Sequence, residues 1–361
     1  MTDVGVIPED WEVKSIGEVL SICNGMDYKH LNRGNYPVYG TGGLIARVDD
    51  YLFEGESVCI GRKGTIDTPI YLNEKFWTVD TLFYSINFVG VIPKFIYYIF
   101  NTIDWLSLNE ASGVPSLSKD NIKLQLIQIP NLSEQQAIAD ALTKVDNLIT
   151  SLTKVIEKKK LIKKGAMQKL LSGEMRLDGF EGEWIKIKLG DISSIKTGSR
   201  NVEEHSANGK YPFFVRSKEV MKINTFSYDE EAILVPGEGG IGEIFHYVNG
   251  KFDVHQRVYK ISDFNDRVNA LFIYWYMIIF FGEYAKENTV KATVDSLRLP
   301  TFTDFICYLP PTKAEQTAIA DILTTMDNEI EALEKERDKY KCIKQGMMQQ
   351  LLTGKIRLTC Q

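Results

Sequence analysis

The chain writes one helix twice. The stretch SEQQAIADAL at residues 133–142 returns as AEQTAIADIL at 314–323. Adding 181 carries Glu134-Gln135 onto Glu315-Gln316, Ile138 onto Ile319, Asp140 onto Asp321 and Asp146-Asn147 onto Asp327-Asn328. The same offset carries GAMQKLLSGEMRL at 165–177 onto GMMQQLLTGKIRL at 346–358, with no gap. Repetition at a fixed offset constrains a fold more than composition does, because each copy must be the same unit of structure. The segments ahead of each helix echo more faintly. WEVKSIGEVLSICNG at 11–25 aligns with WIKIKLGDISSIKTG at 184–198, YPVYG at 36 with YPFFV at 211, and SVCIGRKGTI at 57–66 with AILVPGEGGI at 232–241. The layout is globular part, helix, globular part, helix: residues 1–130, 131–177, 178–311 and 312–361. The helices match closely, whereas the globular parts keep a skeleton and vary their loops.

In the first helix the apolar residues Leu142, Val145, Ile149, Leu152 and Ile156 step by 3, 4, 3, 4. Leu323, Met326, Ile330, Leu333, Arg337 and Tyr340 repeat those steps in the second. That is a heptad seam. The spacing predicts a helix over about residues 142–171, ~45 Å long at about 1.5 Å per residue. Pro130 and Pro310-Pro311 fence the starts, and Gly173 and Gly354 stand where C-terminal caps favour glycine. Two such helices in one chain can cover each other's seams, so an intramolecular antiparallel coiled coil is expected. It would hold the globular units apart, related by a pseudo-two-fold axis. The first turns, with Glu134, Gln135, Ile138, Asp140 and their counterparts Glu315, Gln316, Ile319 and Asp321, carry the tightest identity. Two readings stay open for them: a helix start with acids near the positive dipole end, or a docking surface presented twice. The run EKKKLIKK at 157–164, with five lysines, is a solvated helix face or a phosphate neighbour.

Each globular part reads as short strands with glycine-rich turns and one or two helices, an α+β class. SVCIG and AILVP are strand candidates, and YPVYGTGGLIARV is strand, turn, strand. Helices are expected over Ile92–Leu106 and Arg267–Phe281. The apolar stretch Leu271–Phe281 is eleven residues, too short to span a bilayer, and no membrane association is expected. The N-terminus has neither a basic start nor an apolar run. Five cysteines, odd in number and without a C-x-x-C pair, and four histidines without metal spacing suggest neither a disulfide framework nor a zinc site. A cytoplasmic protein with reduced thiols is expected.

Two motifs mislead. GEGGIG at 237–242 fits G-x-G-x-x-G, but the dinucleotide reading needs a helix to open there. EIFHYVNGKF follows, which reads as strand, turn, strand, so a hairpin loop is expected. PEDWEVK at 8–14 resembles a metal-nuclease signature compressed into seven residues, and the second copy lacks its start. No methyltransferase Asp-Pro-Pro-Tyr type motif, Walker loop, G-x-S-x-G or H-E-x-x-H occurs, so the chain reads as non-catalytic.

Taken in order, PEDWEVKSIGEV at 8–19, YPVYGTGG at 36–43, IGRKGTI at 60–66 and the duplicated EQ-x-AIAD…MQ-x-LL-[ST]-G helix resemble the specificity subunit of type I restriction-modification systems. The resemblance covers essentially the whole chain. It implies two target recognition domains, each reading one half of a split site in double-stranded DNA, and two helical regions that separate them and set the spacing. It further implies that two modification subunits dock on the helical regions. S-adenosylmethionine, ATP and magnesium are expected on partner subunits, not on this chain. Restriction subunits would join and bring ATP-driven translocation and cleavage. The docking elements would be LSEQQAIADAL and KAEQTAIADIL. Recognition domains about 34–36 Å apart would meet successive major grooves.

The net charge of −6 is unusual for a DNA binder. Residues 1–130 carry 10 basic and 16 acidic side chains, and 178–311 carry 15 and 19, so both recognition domains are acidic. Weak DNA affinity is expected for the chain alone, with partners supplying much of the phosphate contact. Candidate base readers in the diverged loops are Tyr39, Thr41, Arg47, Arg62, Lys63 and Thr65 in the first domain. In the second they are Arg200, Asn201, Arg216, Lys218, Glu238 and Gln256. Arg or Lys suits guanine, Asn or Gln adenine, and Glu accepts from cytosine. The alternative to a DNA-reading subunit is a two-headed coiled-coil adaptor without DNA binding.

Overall fold

The computed structural model describes residues 7–288 and 296–358. The chain forms two compact units: residues 1–153 with 335–361, discontinuous in sequence, and the continuous stretch 154–334. Each takes one recognition domain and half of each long helix.

The first unit contains β1 (Glu12–Ser15), α1 (Ile16–Val19), β2 (Ser21–Asn24), β3 (Arg33–Gly40), β4 (Gly43–Val48), β5 (Phe53–Gly61), β6 (Ile70–Thr78) and β7 (Leu82–Ile86). There follow α2 (Pro93–Phe100), α3 (Lys119–Leu124), β8 (Leu126–Ile129) and the start of α4 (Leu132–Ser172). Its main sheet has the order β2-β7-β5-β6-β3-β4, and β1 pairs with β8 apart from it. All ladders are antiparallel except β3 on β6. The buried end of β5, from Ser57 to Gly61, lies over α2, whose Phe95, Ile96, Tyr98, Ile99 and Phe100 face the core. The helix expected over Ile92–Leu106 stops at Phe100. Trp105 turns into the core instead, and its indole donates to the Phe100 carbonyl at 2.8 Å.

The second unit repeats this plan with β9 (Ile185–Lys188), α5 (Leu189–Ile192), β10 (Ser194–Thr197), β11 (Tyr211–Phe214), β12 (Met221–Ile223), β13 (Tyr228–Pro236), β14 (His246–Val254) and β15 (Val258–Ser262). Then come α6 (Ala270–Glu287), α7 (Leu299–Thr303), β16 (Ile306–Leu309) and the start of α8 (Lys313–Leu351). The order β10-β15-β13-β14-β11-β12 is that of the first sheet, again with one parallel pair, β11 on β14, and a separate β16-β9 pair. The α+β class and the duplication are therefore both realised. The apolar run from Leu271 to Phe281 lies inside α6, and no helix among the described residues is long and apolar enough to cross a membrane. No helix opens after GEGGIG. The expected strand-turn-strand is a single strand, because β14 pairs with β13 along its length, from Leu234↔His246 to Tyr228↔Phe252, and Asn249-Gly250 lies within that ladder.

The long helices exceed the seam that predicted them: α4 has 41 residues and α8 has 39, or about 60 Å each. The repeated first turns belong to them. Asn131 and Thr312 cap the starts, accepting from the Glu134 and Glu315 amides at 3.0 and 3.3 Å. Gly173 and Gly354, at φ +75° and +69°, end them in the left-handed region. In the first unit Ile138, Ala139 and Leu142 of α4 share a core with Met347, Met348, Leu351 and Leu352 at the end of α8. In the second, Met167, Leu170 and Leu171 share a core with Ile319, Ala320 and Leu323. In both units the start of one helix lies on the end of the other, the expected antiparallel pairing. Leu152, Ile156 and Ile330 of the seams are buried. The lysine run meets acids of α8: Lys159 reaches Glu329 at 2.7 Å, Lys160 reaches Glu334 at 2.5 Å, and Lys163 pairs with Asp327.

Candidate nucleic-acid interface

The repeated EQ pair is a latch inside each unit. Glu134, Gln135, Glu315 and Gln316 are all within 2% of complete burial. The Gln135 carbonyl accepts from the Ile92 amide at 2.8 Å, and its NH2 donates to the Gly90 and Pro130 carbonyls at 3.1 and 2.8 Å. Gln316 does the same with the Asn269 amide and the Arg267 and Pro310 carbonyls. Glu134 takes a fork from Arg357, both bonds at 2.8 Å, the Trp11 indole at 3.2 Å and the Leu358 amide at 3.1 Å. The Arg357 guanidinium holds its carboxyl below the usual range. Arg176 grips Glu315 in the same way, at 2.6 and 2.7 Å. Ile138 and Ile319 are core residues, and only Asp140 and Asp321 of the eight proposed docking residues are exposed. Burial removes Glu134, Gln135, Ile138, Glu315, Gln316 and Ile319 from any presented surface and leaves Asp140 and Asp321. A side chain whose polar atoms are spent inside its own unit cannot meet a partner, and two identical internal latches account for the tight sequence identity.

A second repeated construction lies at the far end of β5 and β13. The loop leaving β5 is pinned by backbone: the Arg62 and Lys63 amides donate to the Thr81 carbonyl at 2.8 and 3.2 Å, and the Leu117 amide donates to the Arg62 carbonyl at 2.9 Å. Lys63 bridges to Ser116. Gly64 sits at φ +98°, close to the Thr41 hydroxyl. The backbone is fixed, so Arg62, Lys63 and Thr65 are left exposed. Arg62 and Lys63 border a cleft of about 820 Å³ that also takes in Asp80, Glu110 and Lys119. The loop leaving β13 is pinned by the same bonds: Gly237 to the Arg257 carbonyl at 2.9 Å, Leu297 to the Gly237 carbonyl at 2.8 Å, and a bridge from Glu238 to Ser296. Its cleft, about 250 Å³, is bordered by Glu238, Gln256, Arg257 and Arg298.

The remaining candidates divide. Tyr39 is half-buried and donates to Glu74 at 2.7 Å; burial first, and then that carboxylate, push its pKa up to about 12. Arg47 is exposed on β4, away from the cleft, and donates to the Asn35 carbonyl at 2.7 Å. Arg200 spends its guanidinium on the buried Asp253 and on Glu204, each at 3.0 Å. Asn201 and Gln256 bond to each other at 2.7 Å. Arg216 and Arg257 hold the Glu238 carboxylate at 3.2 and 3.0 Å. Lys218 is exposed. The pKa of His255 is pushed below the ordinary imidazole value, by burial first and then by nearby Arg216. Lys119, Arg257 and Arg298 escaped the sequence reading. The signal for Lys119 and Arg298 was the echo of Ser116-Leu117 in Ser296-Leu297, too short to stand out unaided. Among the described residues no group of His, Cys, Asp and Glu could hold a metal ion.

The model of the type I restriction modification DNA specificity domain matches residues 8–163 and again 181–339. The type I restriction enzyme MjaVIII specificity subunit of Methanocaldococcus jannaschii is 27% identical, over 98% of this chain and 94% of its own. The EcoDI specificity subunit of Escherichia coli is 30% identical over 47% of this chain and 37% of its own. A crystal structure of the type I restriction-modification S subunit from M. genitalium shares the fold, at TM-score 0.75 and 17% identity over 97% of this chain and 99% of that one. With both halves matched in turn, and the duplicated sheet and paired helices in place, the chain belongs to the type I restriction-modification DNA specificity family.

Proposed function

We propose that each recognition domain reads one half of a split site in double-stranded DNA, through the cleft beside β5 in the first and beside β13 in the second. The observation that carries this is the cleft itself, built twice by the same backbone bonds and lined by different side chains. A shared frame with divergent lining is what two different half-sites require. Arg62 and Lys63, with Thr65 and Thr41 beside them, are the readers in the first domain, and Glu238, Gln256 and Asn201 in the second, with Lys119 and Arg298 as phosphate contacts and Arg216 and Arg257 holding Glu238. Arg200 acts as a brace for the loop that carries Asn201.

The chain itself performs no chemistry in this reading. Two modification subunits bring S-adenosylmethionine, and restriction subunits bring ATP and magnesium, in the cytoplasm. The paired helices set the spacing of the half-sites, and the partners meet their exposed faces, including Asp140 and Asp321. The acidic net charge makes the assembled complex the DNA-binding species.

Methylome sequencing of cells carrying this chain and its modification subunit, against cells lacking this chain alone, tests the proposal. A split methylated motif with a fixed gap that vanishes on deletion is the expected result. If no motif depends on the chain, the proposal fails and the two-headed adaptor takes its place.

A further inference from the structure

Lys63 and Glu238 occupy one position of the repeated frame. Each follows the last residues of the central strand by two, and each bridges to the serine of a Ser-Leu pair, Ser116 or Ser296. The leucine amide of that pair bonds the carbonyl of the residue before it, Arg62 or Gly237. The frame is the same, but the chemistry is inverted. Lys63 is exposed, and among the described residues its ammonium makes no ion pair or hydrogen bond. An ammonium only donates. The side chain of Glu238 is 20% exposed and fixed between Arg216 and Arg257. A carboxylate only accepts.

We propose that this position determines specificity in both domains and that the two half-sites differ there in polarity. Lys63 reads an acceptor edge, the O6 and N7 of guanine. Glu238 reads an amino edge, the N4 group of cytosine. Arg216 and Arg257 are positioning residues: each holds one oxygen of the carboxylate, which fixes the rotamer and leaves each oxygen a second lone pair to accept from the base. Gly237, before Glu238, is bare where the first domain has Arg62. Added bulk there would press on Tyr259, whose ring lies 3.0 Å from where a Cβ would stand. The second domain therefore reads at this point through Glu238 alone, and the first through two adjacent cations.

The inference rests on the DNA-reading function proposed above. Its test uses the assembled complex with its modification subunits and duplexes carrying the motif, each substituted at one base pair in one half. Competition binding gives the discrimination at every position as a ratio. Glu238→Gln keeps shape and loses the charge; Lys63→Gln loses a charge that holds nothing among the described residues. For Glu238→Gln, discrimination at one C·G pair in one half should fall about tenfold while the other half is unchanged. Lys63→Gln should do the converse, at one G·C pair in the opposite half. The unchanged half reports that the variant complex is folded. Unchanged discrimination in both halves, or an equal fall in both, overturns the proposal. A wild-type complex that discriminates in neither half refutes DNA reading itself, a separate outcome.

Discussion

Replacing Gln135 by Glu changes one donor group into an acceptor at a wholly buried site. The carboxylate can still accept from the Ile92 amide, but it faces the Gly90 and Pro130 carbonyl oxygens, which stand 3.1 and 2.8 Å from the present nitrogen. An ionised group there has two lone-pair neighbours and no water. Protonated, it donates to one carbonyl and loses one bond, a cost of about 1 kcal/mol. Burial and the two carbonyls therefore raise its folded-state pKa, while in the unfolded chain it titrates near about 4.3. With the folded value above the unfolded one, the variant is closest to wild type below about pH 4.3. It loses stability as pH rises, by ~1.4 kcal/mol per unit, until the folded pKa is passed. If that pKa exceeds 7, Gln135→Glu falls by ~2.7 kcal/mol relative to wild type between pH 5 and pH 7. Urea denaturation of both proteins at pH 5, 6 and 7 measures the slope. Gln316→Glu, with the same three partners in the second unit, should repeat it. A pH-independent difference between variant and wild type would refute the latch.

Other consequences follow from the same packing. Because Arg357 holds the Glu134 carboxyl below its usual value, this contact's contribution is present above about pH 4.5 and is lost as pH falls through the lowered value. The stability gap between wild type and Arg357→Ala should therefore narrow on acidification below pH 4.5 in thermal melts. Gly354→Ala places a Cβ at φ +69° and 2.5 Å from the Pro8 ring, and Gly173→Ala one at +75° and 3.2 Å from Trp184. Each should lose at least about 1–2 kcal/mol in urea titration, Gly354→Ala the more. Ile319→Ala empties a fully buried position and should cost about 2–5 kcal/mol. Exposed Asp321→Ala, two residues on, should stay within about 0.5 kcal/mol and instead weaken co-purification with the modification subunit.

Much of the architecture was legible in the residues. The offset of 181 announced two copies, the 3-4 steps from Leu142 to Ile156 announced paired helices, and Gly173 and Gly354 marked their ends. These signals are local or periodic, set by helical geometry and by glycine's access to positive φ. The strands of the central sheet were visible for the same reason: β5 and β13 carry unbroken apolar ends, and both bury those ends completely.

What tertiary structure alone decided is where polar groups are spent. Glu134 and Gln135 are as hydrophilic in sequence as any surface pair; the return of Arg357 from the far end of the chain takes up Glu134, and the backbone of Gly90, Ile92 and Pro130 takes up Gln135. Arg200 reads as a free loop cation until Asp253, distant in sequence, is seen to hold it. Lys63 and Glu238 fall opposite each other when 57–66 is laid on 232–241, but only the tertiary structure shows both bridged to a serine of a distant segment. Sequence determines what a side chain can donate or accept. Contacts between residues far apart in the chain determine whether that capacity is already used, and only the unused part is left for a partner.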